Sequence, residues 1–303
     1  MMRRTILLTV TVLCTTLGMA QQKGGTKNSG TTQKKVETKS QQVDSSKKTE
    51  AKTVAIELPK LEVKLQSTEV LQKNQKFIGK DIYDDIYFVE GNVLKKKGKY
   101  SSMSYSNSKL GNFSRLDLQN TTQLLAFYKD TNTFVLLSKE LAELMVLDIT
   151  SKFPSMEPTY IGTSTKKEMW IANGANGTIT RYNLGTLERH TIYTMKEKTA
   201  KYYSSTINSF FFVDQTNLVK GIDIYGKEIV SYQMDSSFDA IQIIDYDKMF
   251  YTLKDKMYFV DMLKGKKYEI SLEEKSIEGF FYNTQKLSIF ANEKINNYLI
   301  KLP

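Results

Sequence analysis

The chain has 303 residues, 43 Lys and Arg against 33 Asp and Glu, and a formal net charge of +10, with one His and one Cys. A single imidazole and a single thiol exclude a Cys/His zinc site and a disulfide framework. The 18 Tyr, 15 Phe and four Pro, unevenly spread along the chain, point instead to aromatic-rich packed sheets preceded by a different kind of segment.

Residues 1–20 read as a signal peptide. Arg3 and Arg4 form a short positive start, Thr5–Leu17 is an apolar run shorter than a membrane span, and Gly18 and Ala20 supply small residues before a cut expected between Ala20 and Gln21. Val12-Leu13 before Cys14 do not make a lipidation motif, so the mature protein is expected to be periplasmic, without cysteine, lipid or inserted span.

Residues 21–53 are rich in Lys, Thr, Ser, Gln and Gly and contain no aromatic residue. Such a composition offsets little of the entropy lost on ordering, so a disordered linker is expected. Its eight lysines against three acids place about half of the formal charge in this tail, too dispersed to argue for nucleic acid.

Residues 54–76 form a lead-in. Alternation from Lys60 to Leu65 fits an edge strand, and Pro59 argues against a central one.

From Phe77 to the end, one pattern recurs six times: an aromatic-rich strand, a short polar turn and a second strand. The pairs are Ile86–Leu94, Leu125–Leu137, Glu168–Tyr182, Ser209–Ile222, Lys248–Val260 and Lys286–Leu299. Phe88, Phe127, Trp170, Phe212, Tyr251 and Ile289 take corresponding places, 39, 43, 42, 39 and 38 residues apart. A period of about 40 residues with several short strands per unit predicts an all-β β-propeller. Flanking segments such as Arg115–Leu118 and Glu143–Ile149 supply first and fourth strands, giving six blades over 77–303, or seven if Val54–Leu71 adds part of another. The last unit stops after its hairpin, so the N-terminal segment is expected to lend its missing strands and lock the ring. Helix is expected only as a turn or two at Thr121–Leu125 and Lys139–Leu144.

Chemistry is sparse. His190 lacks the Ser, Cys or His partners of a triad or metal site and is read as a surface or interblade residue. Asp81, Asp84 and Asp85 precede the first hairpin, and Asp245 and Asp247 share a turn. A propeller glycosidase would need a carboxylate pair at the central channel, for which Asp81, Asp117, Asp239 and Asp245 are the candidates. Their simpler reading is as turn caps. The Asn173–Thr178 loop has no following helix and is a hairpin turn rather than a phosphate cradle. Trp170 is expected in the core. No catalytic, cofactor-binding or metal-binding residue is assigned.

The leader, the Lys/Ser/Thr/Gln tail and a Tyr/Phe/Asn/Lys-rich repeat over Phe77–Leu302 together resemble the periplasmic propeller proteins of Bacteroidota. Hairpins such as Leu124–Leu137 and Val219–Val230 are similar to those of the plug protein family of the type IX secretion translocon and, more distantly, of the propeller accessory subunit of the barrel assembly machinery. That resemblance implies a role at the periplasmic mouth of an outer-membrane channel, with no active site to transfer. The expectation is a non-catalytic protein-binding scaffold or plug in an outer-membrane secretion or assembly complex, with protein partners, no nucleic acid and no cofactor. The alternative is an enzyme or sugar-binding propeller with its ligand in the central channel.

Overall fold

The computed structural model describes residues 57–165 and 167–303; the expected leader and linker lie outside the described residues. The described chain is almost wholly β. It opens with β1 (Lys60–Val70) and then lays down four-stranded antiparallel meanders in chain order. The first is β2 (Gln75–Lys80), β3 (Ile86–Glu90), β4 (Val93–Lys97) and β5 (Ser102–Tyr105). The second is β6 (Arg115–Asp117), β7 (Gln123–Tyr128), β8 (Thr133–Ser138) and β9 (Glu143–Asp148), followed by the one-turn helix α1 (Ile149–Lys152). The third is β10 (Pro158–Thr163), β11 (Glu168–Asn173), β12 (Thr178–Asn183) and β13 (Arg189–Thr194). The fourth is β14 (Tyr202–Ser205), β15 (Ser209–Val213), β16 (Leu218–Asp223) and β17 (Glu228–Gln233).

The remaining strands form one eight-stranded sheet. Its members are β18 (Ala240–Asp245), β19 (Lys248–Leu253), β20 (Lys256–Asp261), β21 (Lys266–Ser271), β22 (Gly279–Asn283), β23 (Lys286–Ala291) and β24 (Lys294–Ile300), joined through β1. β1 does this by changing partner along its length. Lys60–Glu62 pair in parallel with Glu269–Ser271, and Val63–Val70 pair antiparallel with Ile300–Lys294, with a bulge between Leu65 and Ser67. The strand starts immediately after Pro59, whose carbonyl accepts from the Glu269 amide at 3.0 Å. Proline thus sits where no ladder donor is needed. The N-terminal segment therefore completes the last sheet and ties it to the sheet before it.

The middle strands explain themselves from sequence. Ser209–Val213 (SFFFV) is buried at all five positions, and Thr133–Ser138 (TFVLLS) at five of six. Such continuous apolar runs mark strands covered on both faces by neighbouring sheets. Outer strands read differently: Arg189–Thr194 (RHTIYT) is exposed or half-buried throughout.

Successive sheets share apolar clusters. Tyr87 and Leu94 pack against Ala126 and Tyr128, Phe127 and Leu136 against Ile161 and Ile171, and Trp170 and Ile179 against Phe210 and Phe212. Phe211 and Val230 meet Ile243 and Tyr251, and Phe250 and Phe259 meet Leu287 and Ile289. Phe77 and Phe88 then meet Phe290 and Ile295, so the last sheet packs on the first and the arrangement closes as in a β-propeller.

Three sequence expectations are corrected. The six corresponding aromatic and apolar positions all fall on the second strand of a unit, but not on one face. Phe88, Phe212, Tyr251 and Ile289 pack toward the preceding sheet, whereas Phe127 and Trp170 pack toward the following one. Side chains alternate along a strand, so a one-residue offset in the alignment moves a residue to the opposite face. The expected helical turns also fail: Gln123–Tyr128 is a strand, and α1 and a 3₁₀ turn at Ser108–Leu110 are the helices among the described residues. The first meander begins at Gln75, two residues before the expected start at Phe77.

Close approach selects glycine at two interblade points. A Cβ on Gly162 would collide with Ser205 Oγ, and one on Gly226, held at φ +84°, with the Ile192 carbonyl.

Candidate functional site

The first strand of each unit faces the middle of the ring, and between these strands lies a cavity of about 990 Å³. Residues from β2, β6, β14, β18 and β22 line it; β10 contributes none. Side chains tie the inner strands together across sheet boundaries. Asn92 Nδ2 donates to the Gly111 carbonyl at 2.5 Å and its Oδ1 accepts from the Phe113 amide at 2.9 Å. Asp117 Oδ2 accepts from the Thr163 amide at 2.7 Å, and Gln119 Nε2 donates to the Ser205 carbonyl at 2.5 Å. Gln242 exchanges two hydrogen bonds with the Tyr282 backbone, at 3.0 and 2.8 Å. Each clamp satisfies polar groups at a strand edge where no ladder partner exists.

On the β6–β10 side of the cavity the inner wall is built by Arg115. Its Nη2 donates to Tyr160 Oη at 2.8 Å, and its Cζ lies 4.3 Å from the Tyr160 ring centroid. Tyr160 Oη also lies 3.1 Å from Ser205 Oγ. Burial pushes the Tyr160 and Tyr202 phenols up, so both stay neutral. Burial works against the Arg115 charge, but the nearby Asp117 carboxylate and the hydrogen bond to Tyr160 raise its proton affinity.

The carboxylates proposed from sequence do not converge. Asp117 is the one among Asp81, Asp117, Asp239 and Asp245 that lines the cavity. Its oxygens are taken by the amides of Thr163 and Gln119 and by Gln119 Nε2. Asp81 is buried beside β2, where Oδ1 accepts from the Tyr83 and Asp85 amides, Oδ2 accepts from Tyr87 Oη at 3.1 Å, and Lys96 Nζ stands at 3.5 Å. Lys96 also reaches Asp85 at 3.0 Å and donates to the Lys139 carbonyl at 3.1 Å. Asp84 pairs with Lys286 across the closing junction at 2.5 Å. Asp239 is exposed and accepts from the Lys254 amide at 2.5 Å. Asp245 Oδ1 accepts from the Tyr246 amide at 2.8 Å, and Asp247 pairs with Lys248. Turn capping and interblade pairing account for all of them.

His190 is exposed on β13 opposite Arg181. Trp170 is fully buried and donates from Nε1 to the Thr206 carbonyl at 3.0 Å. Asn173–Thr178 is the β11–β12 turn, with Asn173 Oδ1 accepting from the Glu157 and Ala175 amides. Among the described residues no group of His, Cys, Asp and Glu is arranged to hold a metal, and no helix is long and apolar enough to cross a membrane.

A second feature was not read from sequence. In a meander, the loops joining strands one to two and three to four emerge at the same end. Eight exposed large hydrophobics occupy those loops: Ile82, Tyr83, Tyr100, Leu187, Ile207, Tyr225, Tyr246 and Leu263. Tyr100 is 88 % exposed, Tyr225 84 % and Leu263 61 %. The other exposed large hydrophobics of the described residues lie on the strands β1, β9 and β24. None lies in the loops at the opposite end, where turns such as Glu90–Val93 and Asp214–Asn217 are polar or glycine-bearing.

No protein-family model and no curated protein matches the chain. Solved structures do. Virginiamycin B lyase from Staphylococcus aureus superposes with a TM-score of 0.51 at 15 % identity, covering 80 % of this chain and 90 % of the lyase. The β-propeller domain of Cps50 (Swd1) from Myceliophteria thermophila gives 0.56 at 9 % identity, covering 79 % and 100 %. A chain of the mitotic checkpoint complex gives 0.53 at 8 % identity, covering 88 % and 98 %. The described chain thus has a β-propeller arrangement. At such identities the likeness speaks to fold alone, because propellers host unrelated functions.

Proposed function

We propose that the protein is a six-bladed propeller that works as a non-catalytic protein-binding module, engaging its partner through the end that carries the exposed tyrosines and aliphatics. The blade count takes the eight-stranded sheet as two blades, β18–β21 and β22–β24, with β1 supplying the fourth strand of the second. The observation that carries the functional reading is the confinement of exposed apolar loop residues to one end of the ring. Exposed Tyr, Leu and Ile side by side in loops are what an interface core uses, while scattered apolar residues need no explanation. Placing them on short turns of a rigid ring limits the entropy lost on docking. Chains in propeller complexes, such as the one in the mitotic checkpoint complex, show that the architecture suits this use.

We infer a periplasmic setting from the leader-like first 20 residues, and an outer-membrane secretion or assembly complex from the resemblance to secretion-translocon plugs. The test is affinity purification from membranes with the wild-type chain and with a Tyr100→Ser, Tyr225→Ser, Leu263→Ser triple variant. Loss of specific outer-membrane partners by the variant, at unchanged thermal stability, is the expected result. Equal recovery of the same partners by both proteins would sink the assignment of this face.

A further inference from the structure

Arg115 carries hydrogen-bond donors that the cavity wall does not fill. Arg115 lines the cavity from β6 and has five N–H donors. Among the described residues it makes one hydrogen bond, to the neutral Tyr160 hydroxyl. Its Nε is buried and unpartnered. No carboxylate of the described residues lies within 4 Å of the guanidinium. Arg181 is the contrast: its Nε is also unpartnered, but it is ion-paired with Glu168 and bonded to Thr165. Asp117, two residues along β6, is the one carboxylate lining the cavity, and its oxygens are already engaged. Lys76 and Lys80 add two cations to the lining; Lys80 is neutralised by Glu69 at 2.5 Å. Arg115 is half-buried at the cavity wall, and an anion in the cavity would add charge-assisted hydrogen bonds to its spare donors.

The rest of the wall describes the ligand. Ile241, Ile243, Phe280 and Phe281 bring apolar surface, while Ser204 and Ser205 add hydroxyls near the cationic side. A volume of about 990 Å³ lies within the range of small-molecule sites. The Arg115 Cζ lies 4.3 Å from the Tyr160 ring centroid, and this contact together with the Nη2 hydrogen bond holds the guanidinium in place at the wall.

We propose that the central cavity binds a small organic carboxylate with an apolar body, its carboxylate held by Arg115 and its body against Ile243 and Phe281. The cavity meets the partner-binding loop face at Ile82, but the proposal does not rest on that face's assignment.

Isothermal titration of the full chain at pH 7 with benzoate and hexanoate, each against its neutral amide, tests the proposal. At least one carboxylate should bind saturably, and its amide should bind at least about tenfold more weakly, as expected for loss of a charge-assisted hydrogen bond. Arg115→Met should weaken the carboxylate at least about tenfold while leaving the amide unchanged. Should Arg115→Met not fold, Ser204→Trp, which fills the cavity and keeps Arg115, must abolish binding in its place. Equal affinity for carboxylate and amide, wild-type affinity in either folded variant, or no saturable binding of either acid below about 10 mM overturns the proposal.

Discussion

Lys96 offers the sharpest test of how the ring is held together at its first sheet junction. Its side chain is 8 % exposed and lies 3.0 Å from Asp85 and 3.5 Å from Asp81, whose own side chain is fully buried. It also donates to the Lys139 carbonyl in the next meander and lies over the Tyr87 ring at 5.3 Å. Lys96→Met keeps the aliphatic stem but removes the charge that answers two carboxylates. Breaking a buried pair in this way costs about 3–5 kcal/mol, because the remaining charges stay desolvated. For a chain of this size that corresponds to a fall in Tm of about 6–20 °C. Burial pulls the Lys96 ammonium down, but hydrogen bonds with Tyr87 and Asp85 outweigh it and the net shift is upward from 10.5. A raised folded pKa means that the stabilisation is complete below 10.5 and is lost only as pH rises through the folded value. The wild-type margin should therefore be flat on this account from pH 6 to 9. Urea denaturation of wild type, Lys96→Met, Asp81→Asn and the double variant measures the coupling directly. A Lys96→Met loss under about 1 kcal/mol at pH 7, or strict additivity in the double variant, would refute the reasoning.

Two further outcomes follow from the packing. Trp170→Ala removes a fully buried indole that bridges two sheets and bonds the Thr206 carbonyl, so it should cost about 3–5 kcal/mol and lower cellular abundance, whereas His190→Ala on the exposed β13 should shift Tm by less than about 1 °C. At Asp214, burial pushes the carboxyl up, but hydrogen bonds from the Thr216 hydroxyl and the Leu218 and Thr216 amides hold it below 3.8; its contribution is present above that value and lost as pH falls through the folded one. Asp214→Asn should thus cost about 1 kcal/mol at pH 7 and nothing measurable near pH 2, read as the urea midpoint at each pH, and an equal deficit at both would count against this account.

The repeat was legible in the sequence because the second and third strands of each unit are covered on both faces. Burial on both sides demands apolar residues at consecutive positions, as in Phe210–Val213 or Phe134–Leu137, and short polar turns separate the runs. The outer strands were legible for a weaker reason, a polar alternation such as Glu228–Gln233, and their boundaries fell within a residue or two of the observed ones. β5 (SMSY) and β22 (GFFYN) carried too little pattern to be read: one is four residues long, and the other is half-buried at every position, lining the cavity between the sheets it packs on. The offset at Phe127 and Trp170 has the same origin. Where both faces are buried, aromatic residues fit either one, so residue type alone does not fix the parity of the strand.

The functional features were hidden because each depends on what the fold places beside a residue. Asp81 reads as a lone carboxylate until Lys96, fifteen residues on, is brought beneath it by the β2–β4 meander. Arg115 reads as one of 43 basic residues until the closing of the ring turns β6 inward and leaves its donors facing a cavity. The loop face did leave a trace: Tyr100 beside Lys99, Tyr225 before Gly226-Lys227, and Leu263 before Lys264-Gly265 put a large apolar side chain inside a turn. Turn residues are selected for backbone geometry and solvation, so a bulky apolar one there has no local rationale. Repetition of that anomaly in the third-to-fourth-strand turns of the first, third, fourth and fifth meanders is the pattern that the proposed partner-binding face requires of the sequence.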